Sequence, residues 1–374
     1  MLQLPELEQR VSPQKEGNKG RVNMSKSIEN NFQDHIQKVS RATKAWLQPD
    51  NLSLKKAIDK TVEEGLFSFE DIKFQIRTLK QKVDSGQVEE WAERAELSET
   101  KHSVGQKVLC LHAGNLPLVG FQDALGTILS GADYYGKLSK KDPYLISGFL
   151  KMMDEADLDN QIQYSTELAD FNDLQADKVL FAGSEESVDP VKEKLFKLNA
   201  VNDNTEFVIR TAKFSIAYLD NEEPDTLRDM IEAVFRYGGK GCRSVAVIVS
   251  PFSLSKVKCH FTDYVEEFWL NNPQLKKPKE NLAYQFAFNK AIERDQAWLD
   301  DFLVQETNDF PEQEFVLNWV VGDHEKVKEL KSRFGNSVQA VYRTGENIFG
   351  IKTEFLSNAQ TPDLWWEPDG IPIL

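Results

Sequence analysis

The chain has 374 residues, enough to bury a substantial core and to divide into two or three domains. Its hydrophobic fraction of 40% and charged fraction of 28% are ordinary for a globular protein. A net charge of −15 excludes a broad cationic face for nucleic acid, and no apolar run reaches the roughly 18 residues that span a bilayer.

Residues 1–23 are polar and interrupted by Pro and Gly, which predicts a disordered lead-in, with Met24 as an alternative start. Over 24–100 apolar residues recur at three- and four-residue steps, in IENNFQDHIQKVSRATKAWL and again in FEDIKFQIRTLKQKV, so this part reads as a helical arm or lid. Ser68 followed by Asp71 resembles a capping box at the start of the second stretch.

From 101 to 237 short apolar strands alternate with helices. VLCLHA, DYYGKL, KVLFAG, TEFVIR and FSIAYL read as strands, which predicts a doubly wound parallel sheet covered on both faces. A smaller α/β unit follows over 238–349, opening with the strand SVAVIVS and continuing with helices over 252–270 and 281–304. The strands EFVLNWVV and VQAVYR flank the helix EKVKELKSRFG. The tail over 350–374 is expected to add a strand, suited to dimerisation, and the Trp365–Trp366 pair to pack it down.

Three loops fall where such sheets put their active sites, outside the carboxyl ends of strands. In HAGNLPL, residues 112–118, Asn115 stands between Gly114 and Pro117; it either caps the next helix or offers its amide as a donor. In FAGSEES, residues 181–187, Gly183 and Ser184 end a strand and start a helix. That makes either a simple turn or a phosphate site, with the glutamates opposing a phosphate if they turn inward. In RYGGKGCRS, residues 236–244, glycines and the cations Lys240 and Arg243 surround Cys242, a setting that favours a thiolate. Cys110 and Cys259 read as structural. Three cysteines without paired spacing make neither a disulfide framework nor a zinc site, which fits a cytoplasmic protein. The five histidines show no metal-ligand spacing, and His112 reads as a structural donor. Lys137 in YYGKLSKKDP ends a strand, and with Lys140 and Lys141 it forms a cationic cluster suited to an anionic cofactor.

Taken in order, HAGNLPL, GKLSKKDP, FAGSEE and GGKGCRS resemble the motifs of the aldehyde dehydrogenase superfamily, and more narrowly those of LuxC-type acyl-CoA reductases, the fatty-acid reductases of bioluminescence systems. The likeness runs from about Val108 to Pro251. It implies an aldehyde dehydrogenase-like fold and reduction of a long-chain acyl-CoA, or another acyl-thioester, to the aldehyde. By this resemblance Cys242 is the nucleophile, and Asn115 with the Cys242 backbone N–H holds the oxyanion. Lys137 binds the adenosine ribose, and Gly183 with Ser184 lies under the pyrophosphate. Where NAD-using relatives carry an acidic residue, this chain has Lys140, which implies NADPH. Ile209 aligns with the glutamate base of hydrolytic relatives, and its loss suits an acyl-enzyme that is reduced rather than hydrolysed. A homo-oligomer and an acyl-transferring partner enzyme are further expectations. A reductase of acyl-phosphates and a non-catalytic scaffold of the same fold are the alternatives.

Overall fold

The computed structural model describes residues 19–98, 101–273, 281–299, 301–311, 314–367 and 373. Residues 1–18 of the expected lead-in and the end of the tail lie outside the described residues. Residues 19–23 belong instead to the first helix.

Four helices form the arm: α1 (Lys19–Trp46), α2 (Leu52–Glu63), α3 (Phe69–Asp84) and α4 (Gln87–Arg94). Ser68 caps α3 as its motif predicts, its Oγ accepting the Asp71 N–H at 3.2 Å. The Asp71 side chain does not complete the box; it faces Arg236 at 3.6 Å. The arm is no loose lid. Trp46, Ile72, Val83 and Val88 are buried in the same core as Phe121 and Phe149, and Trp46 stacks on Phe121 at 5.9 Å.

The first sheet is built from β1 (Lys107–Leu111), β2 (Asp133–Lys137), β3 (Ile162–Ser165), β4 (Ala176–Gly183) and β5 (Val201–Thr211). Helices α5 (Phe121–Leu129), α6 (Leu145–Asp154) and α7 (Val188–Lys197) connect them. The order is β3-β2-β1-β4-β5, and every pair is parallel. Chain order reverses between β1 and β4, so the loops after these two strands flank the crevice where such sheets bind ligands. One face packs on α5, α6 and the arm. The other buries Leu109, Val179 and Phe181 against Leu195 of α7.

The second sheet runs β12-β11-β6-β7-β10-β9-β8. Its strands are β6 (Phe214–Tyr218), β7 (Val245–Ser250), β8 (Gln296–Leu299), β9 (Phe302–Glu306), β10 (Val316–Val321), β11 (Val338–Arg343) and β12 (Glu354–Phe355). Its helices are α8 (Pro224–Phe235), α9 (Leu254–Asn271), α10 (Asn281–Ala291) and α11 (His324–Phe334).

Three expectations shift. First, β6 and α8 belong to the second sheet, so the units meet between Thr211 and Phe214 and not near 237. Apolar strands of either sheet look alike in sequence, and only pairing separates them. Second, the helix expected over 281–304 ends at Ala291, and its remainder is the antiparallel hairpin β8–β9. Third, the tail strand β12 has only two residues and pairs with β11 of its own sheet.

A fourth difference places the chemistry. The loop 236–244 lies at the amino end of β7, not at a carboxyl end. Only residues 212–213 separate β5 from β6, so the amino edge of the second sheet directly follows the carboxyl edge of the first. The loop at the start of β7 therefore meets the loop that follows β1, at Gly241 and Leu116.

Candidate active site

The loop before β7 turns on a run of left-handed residues. Gly238, Gly239 and Gly241 have φ of 68°, 71° and 99°, which glycine adopts without penalty. Tyr237, at φ 58°, is not a glycine, and such a conformation costs about 1–3 kcal/mol. The arm holds it there: Tyr237 Oη donates to Gln75 Oε1 at 2.8 Å. Arg236 is buried between the rings of Phe74 and Phe268, at 4.3 and 4.9 Å. Gly241 makes the decisive approach. A Cβ there would lie 2.8 Å from Leu116 Cδ1, so the loop carrying Cys242 touches the loop carrying Asn115.

Cys242 is half-buried, and its carbonyl accepts a bond from Ser215 Oγ at 2.9 Å. Cys110 is fully buried, with its thiol pushed far up by burial, as befits a core residue. Of the two cations expected to favour a Cys242 thiolate, Arg243 is engaged elsewhere. Arg243 donates to Ala359 O, Asn358 O and Glu354 Oε2 at 2.7, 2.8 and 2.9 Å. Lys240 Nζ lies 3.9 Å from Glu314. Sequence adjacency does not fix where a long side chain points.

Asn115 does not cap a helix. Helix α5 begins at Phe121 with Gly120 as its cap residue, and Asn115 is exposed. Its amide makes no hydrogen bond to another described residue. The loop that carries it is pinned by the segment after β2. The Leu118 N–H, on a residue at φ 57°, donates to Asp142 Oδ2 at 2.8 Å. Gly114 packs so closely on Ser139 that no Cβ would fit. Burial pushes the Asp142 carboxyl up to about 7, against the bonds it accepts from the Leu118 and Leu145 N–H groups. His112 is the structural donor or acceptor expected, bonded through Nε2 to Tyr134 Oη at 2.6 Å. Burial lowers it to about 4, so it is neutral near pH 7.

Between the arm and these two loops lies a cavity of about 240 Å³, lined by Leu66, Phe67, Asp71, Asn115, Pro117 and Lys240 among others. The contribution of Leu66 and Phe67 has no signal in the sequence, because they join α2 to α3 far from any motif.

Across the crevice, Lys137 ends β2 in register with Leu111 and Ser165. Burial lowers its ammonium below the usual range, while Glu167 opposes that shift and Lys140 and Lys194 add to it. Lys140 pairs with Glu167 at 2.5 Å. Neither Glu167 nor Lys194 stands in a recognisable motif. Gly183 closes β4 in a tight cradle, where a Cβ would lie 2.5 Å from Phe181 Cζ and 3.2 Å from Ser187 Oγ. After Ser184 the chain makes one 3-10 turn, Glu185–Ser187, before α7. Both glutamates are exposed; the Glu186 carboxylate bonds its own N–H and the Ser184 hydroxyl, which hold it below its ordinary range. The cradle that excludes a Cβ and the three lysines, facing one paired carboxylate, suit a phosphate-bearing dinucleotide.

A five-stranded parallel sheet followed by a seven-stranded sheet that is parallel except for its β8–β9 hairpin, with the cysteine loop of the second against a loop of the first, is an aldehyde dehydrogenase-like fold. Solved structures bear this out. A glyceraldehyde-3-phosphate dehydrogenase of Methanocaldococcus jannaschii, complexed with NADP, matches with TM-score 0.57 at 13% identity, over 88% of this chain and 81% of that one. A methylmalonate-semialdehyde dehydrogenase described as putative, from Sinorhizobium meliloti and complexed with NAD, gives 0.56 at 13% identity, over 87% and 76%. A lactaldehyde dehydrogenase gives 0.60 at 12% identity, over 87% and 78%. No curated protein sequence matches the chain significantly. The model of the acyl-CoA reductase (LuxC) family matches residues 29–341, and the chain belongs to that family. It is an oxidoreductase of the aldehyde-forming kind. Among the described residues no helix is long and apolar enough to cross a membrane.

Proposed function

We propose that the protein reduces an acyl-CoA, or another acyl-thioester, to the aldehyde with NADPH through a covalent acyl-Cys242. The observation that carries this reading is the contact between the cysteine and asparagine loops, at Gly241 and Leu116. It supports the reading by bringing the loop of Cys242 against the loop of Asn115, beside the cavity that Asn115 and Lys240 line. The Cys242 thiolate attacks the thioester carbonyl carbon, and the Asn115 amide and the Cys242 N–H stabilise the charge on its oxygen. The carbon–sulfur bond to CoA then breaks, CoA leaves as the thiol with the proton that Cys242 lost, and the acyl group remains on Sγ. Leu66, Phe67 and Pro117 give that group an apolar wall.

Lys137, Lys140 and Lys194 would hold the adenosine end of the dinucleotide, and Gly183 with Ser184 its pyrophosphate. When bound, NADPH supplies a hydride to the acyl carbon. Cleavage of the bond to Sγ then frees the aldehyde and restores the thiolate. Ile209, where hydrolytic relatives have a carboxylate, cannot activate water, which preserves the acyl-enzyme for reduction. Lys140 is already paired with Glu167, so the preference for a 2′-phosphate rests on the surplus of lysines over carboxylates.

Intact-protein mass after mixing with palmitoyl-CoA, without cofactor, tests the reading. One acyl group should add to wild type, none to Cys242→Ala, and NADPH should discharge it as aldehyde. No adduct across a range of chain lengths would overturn the acyl-CoA reading in favour of a different activated acyl donor or a non-catalytic scaffold.

A further inference from the structure

Arg243 adjoins the nucleophile in sequence, yet apart from the Tyr342 ring of β11, 5.4 Å away, its described contacts lie on the C-terminal segment. Its guanidinium donates to Glu354, Asn358 and Ala359 and stacks on Trp366 at 4.4 Å, and only 7% of the residue is exposed. Glu354 is fixed in turn by Trp366 Nε1 at 3.2 Å. The next residue is held too: Gln360 Nε2 donates to Ser244 Oγ at 3.3 Å and to Ala233 O at 3.1 Å. Ser244 Oγ itself donates to Lys240 O at 2.5 Å, closing the turn around Cys242.

The same segment is anchored on the rest of the molecule. Gln122 of α5 donates to both Leu364 O and Trp366 O at 2.6 Å. Asp363 accepts from Lys82 and Gln87 of the arm, each at 2.8 Å, and Arg94 stacks on Trp365 at 4.2 Å. Residues 354–366 thus form a strap from the cofactor-side helix and the arm to the residues just after Cys242. Asp71 and Gln75 of the arm hold the residues before it. A glycine-rich loop has little rigidity of its own. Its geometry comes from these two grips.

We infer that Arg243 is a positioning residue for Cys242, and that the C-terminal strap, held through Glu354 and Gln122, fixes the nucleophile loop against the Asn115 loop. The inference rests on Cys242 being the acylated residue, and it assigns the Trp365–Trp366 tail a part in the reaction beyond packing. A guanidinium fork suits this contact, because Nε and Nη2 reach Ala359 and the Glu354–Asn358 pair from separate fixed positions, whereas the three donors of a lysine share one nitrogen.

The test uses the full chain, with Arg243→Lys, Glu354→Gln and Gln122→Ala beside wild type. Three quantities are read: the acylation rate of Cys242 by palmitoyl-CoA, its alkylation rate by iodoacetamide, and hydrogen exchange along the chain. Misplacing a reacting group by about 1 Å costs on the order of 10²-fold. Acylation should therefore fall about tenfold to a hundredfold in Arg243→Lys and Glu354→Gln and less in Gln122→Ala, with alkylation changing far less. Exchange should rise in 236–244 and 354–366 while the strands of the first sheet keep their protection. If Arg243→Lys does not fold, Glu354→Gln and Gln122→Ala carry the same test. Wild-type acylation with undiminished rates in the variants overturns the inference and leaves the acyl-cysteine reading standing. So does a uniform rise in exchange, which would mean a merely structural role. Absence of the adduct in wild type overturns both.

Discussion

The two ends of the crevice are built on opposite principles. At the cysteine end, a strained tyrosine, three left-handed glycines and a buried arginine are fixed by the arm on one side and by the tail on the other. At the lysine end the polar groups are exposed or half-buried, and glutamates already occupy them, Glu167 on Lys140 and Glu186 on Ser184. Packing sets the first, so its geometry is stiff and each contact matters. Exchangeable charge sets the second, so a phosphate must displace carboxylates, and each group is worth little in water. On the proposed function, chemistry that needs sub-ångström placement falls to the stiff end, and a ligand that must come and go falls to the soft one.

Cys242→Ala makes the sharpest break in this contrast: acylation and aldehyde formation should both vanish, while cofactor binding at the soft end is unchanged. Asn115→Ala comes next. Removing an oxyanion donor costs on the order of 10²–10³ in kcat, and because the side chain is exposed, the melting temperature should not move. A fall in stability with no loss of rate would show that Asn115 belongs to the scaffold.

Asp142 sharpens the comparison through pH. Its carboxyl is raised from 3.8 to about 7 by burial, so across that window the folded state binds more protons than the unfolded one. Stability from this group is then lost as pH rises from about 4 to 7 and is flat below. Asp142→Asn keeps an acceptor for the Leu118 N–H and should flatten that stretch of the stability curve, measured by urea unfolding at several pH values. An unaltered slope would place the titration elsewhere.

The smallest effects belong to the lysine end. Glu167→Gln and Glu186→Gln should each tighten 2′,5′-ADP binding by a few-fold in titration calorimetry, since each frees a site from a competing carboxylate. Lys140→Glu should weaken it and spare plain ADP. All of these differences should shrink in high salt. If 2′,5′-ADP and ADP bind alike in wild type, the preference for NADPH is wrong.

Much of the fold was legible. The alternation of apolar strands with helices announced the parallel sheets, and the Ser68 cap, the core character of Cys110 and the structural role of His112 were readable from local pattern. Other features misled for physical reasons. Arg243 looked like a thiolate stabiliser because it adjoins Cys242, but its guanidinium is spent on Ala359, Asn358 and Glu354, since an extended side chain chooses its partner in three dimensions. Asn115 looked most like a helix cap, yet the positive φ at Leu118 and the Asp142 anchor delay the helix to Phe121. Glu167, Lys194, Leu66 and Phe67 carried no signal, since nothing in their neighbourhoods departs from an ordinary turn or helix.

By itself the sequence determined most of the repertoire: the helices and the strands other than β3, β8 and β9, which thiol sits in a polar glycine-rich turn, and which lysines cluster. Those depend on residues a few positions apart, through propensity and periodicity. The tertiary structure alone decided where one sheet ends and the next begins, that the cysteine loop opens β7 against the loop that follows β1, and that the last turns of the chain grip it. These contacts join residues more than a hundred positions apart, as Arg243 joins Ala359, and only the packing of the whole chain brings such residues together.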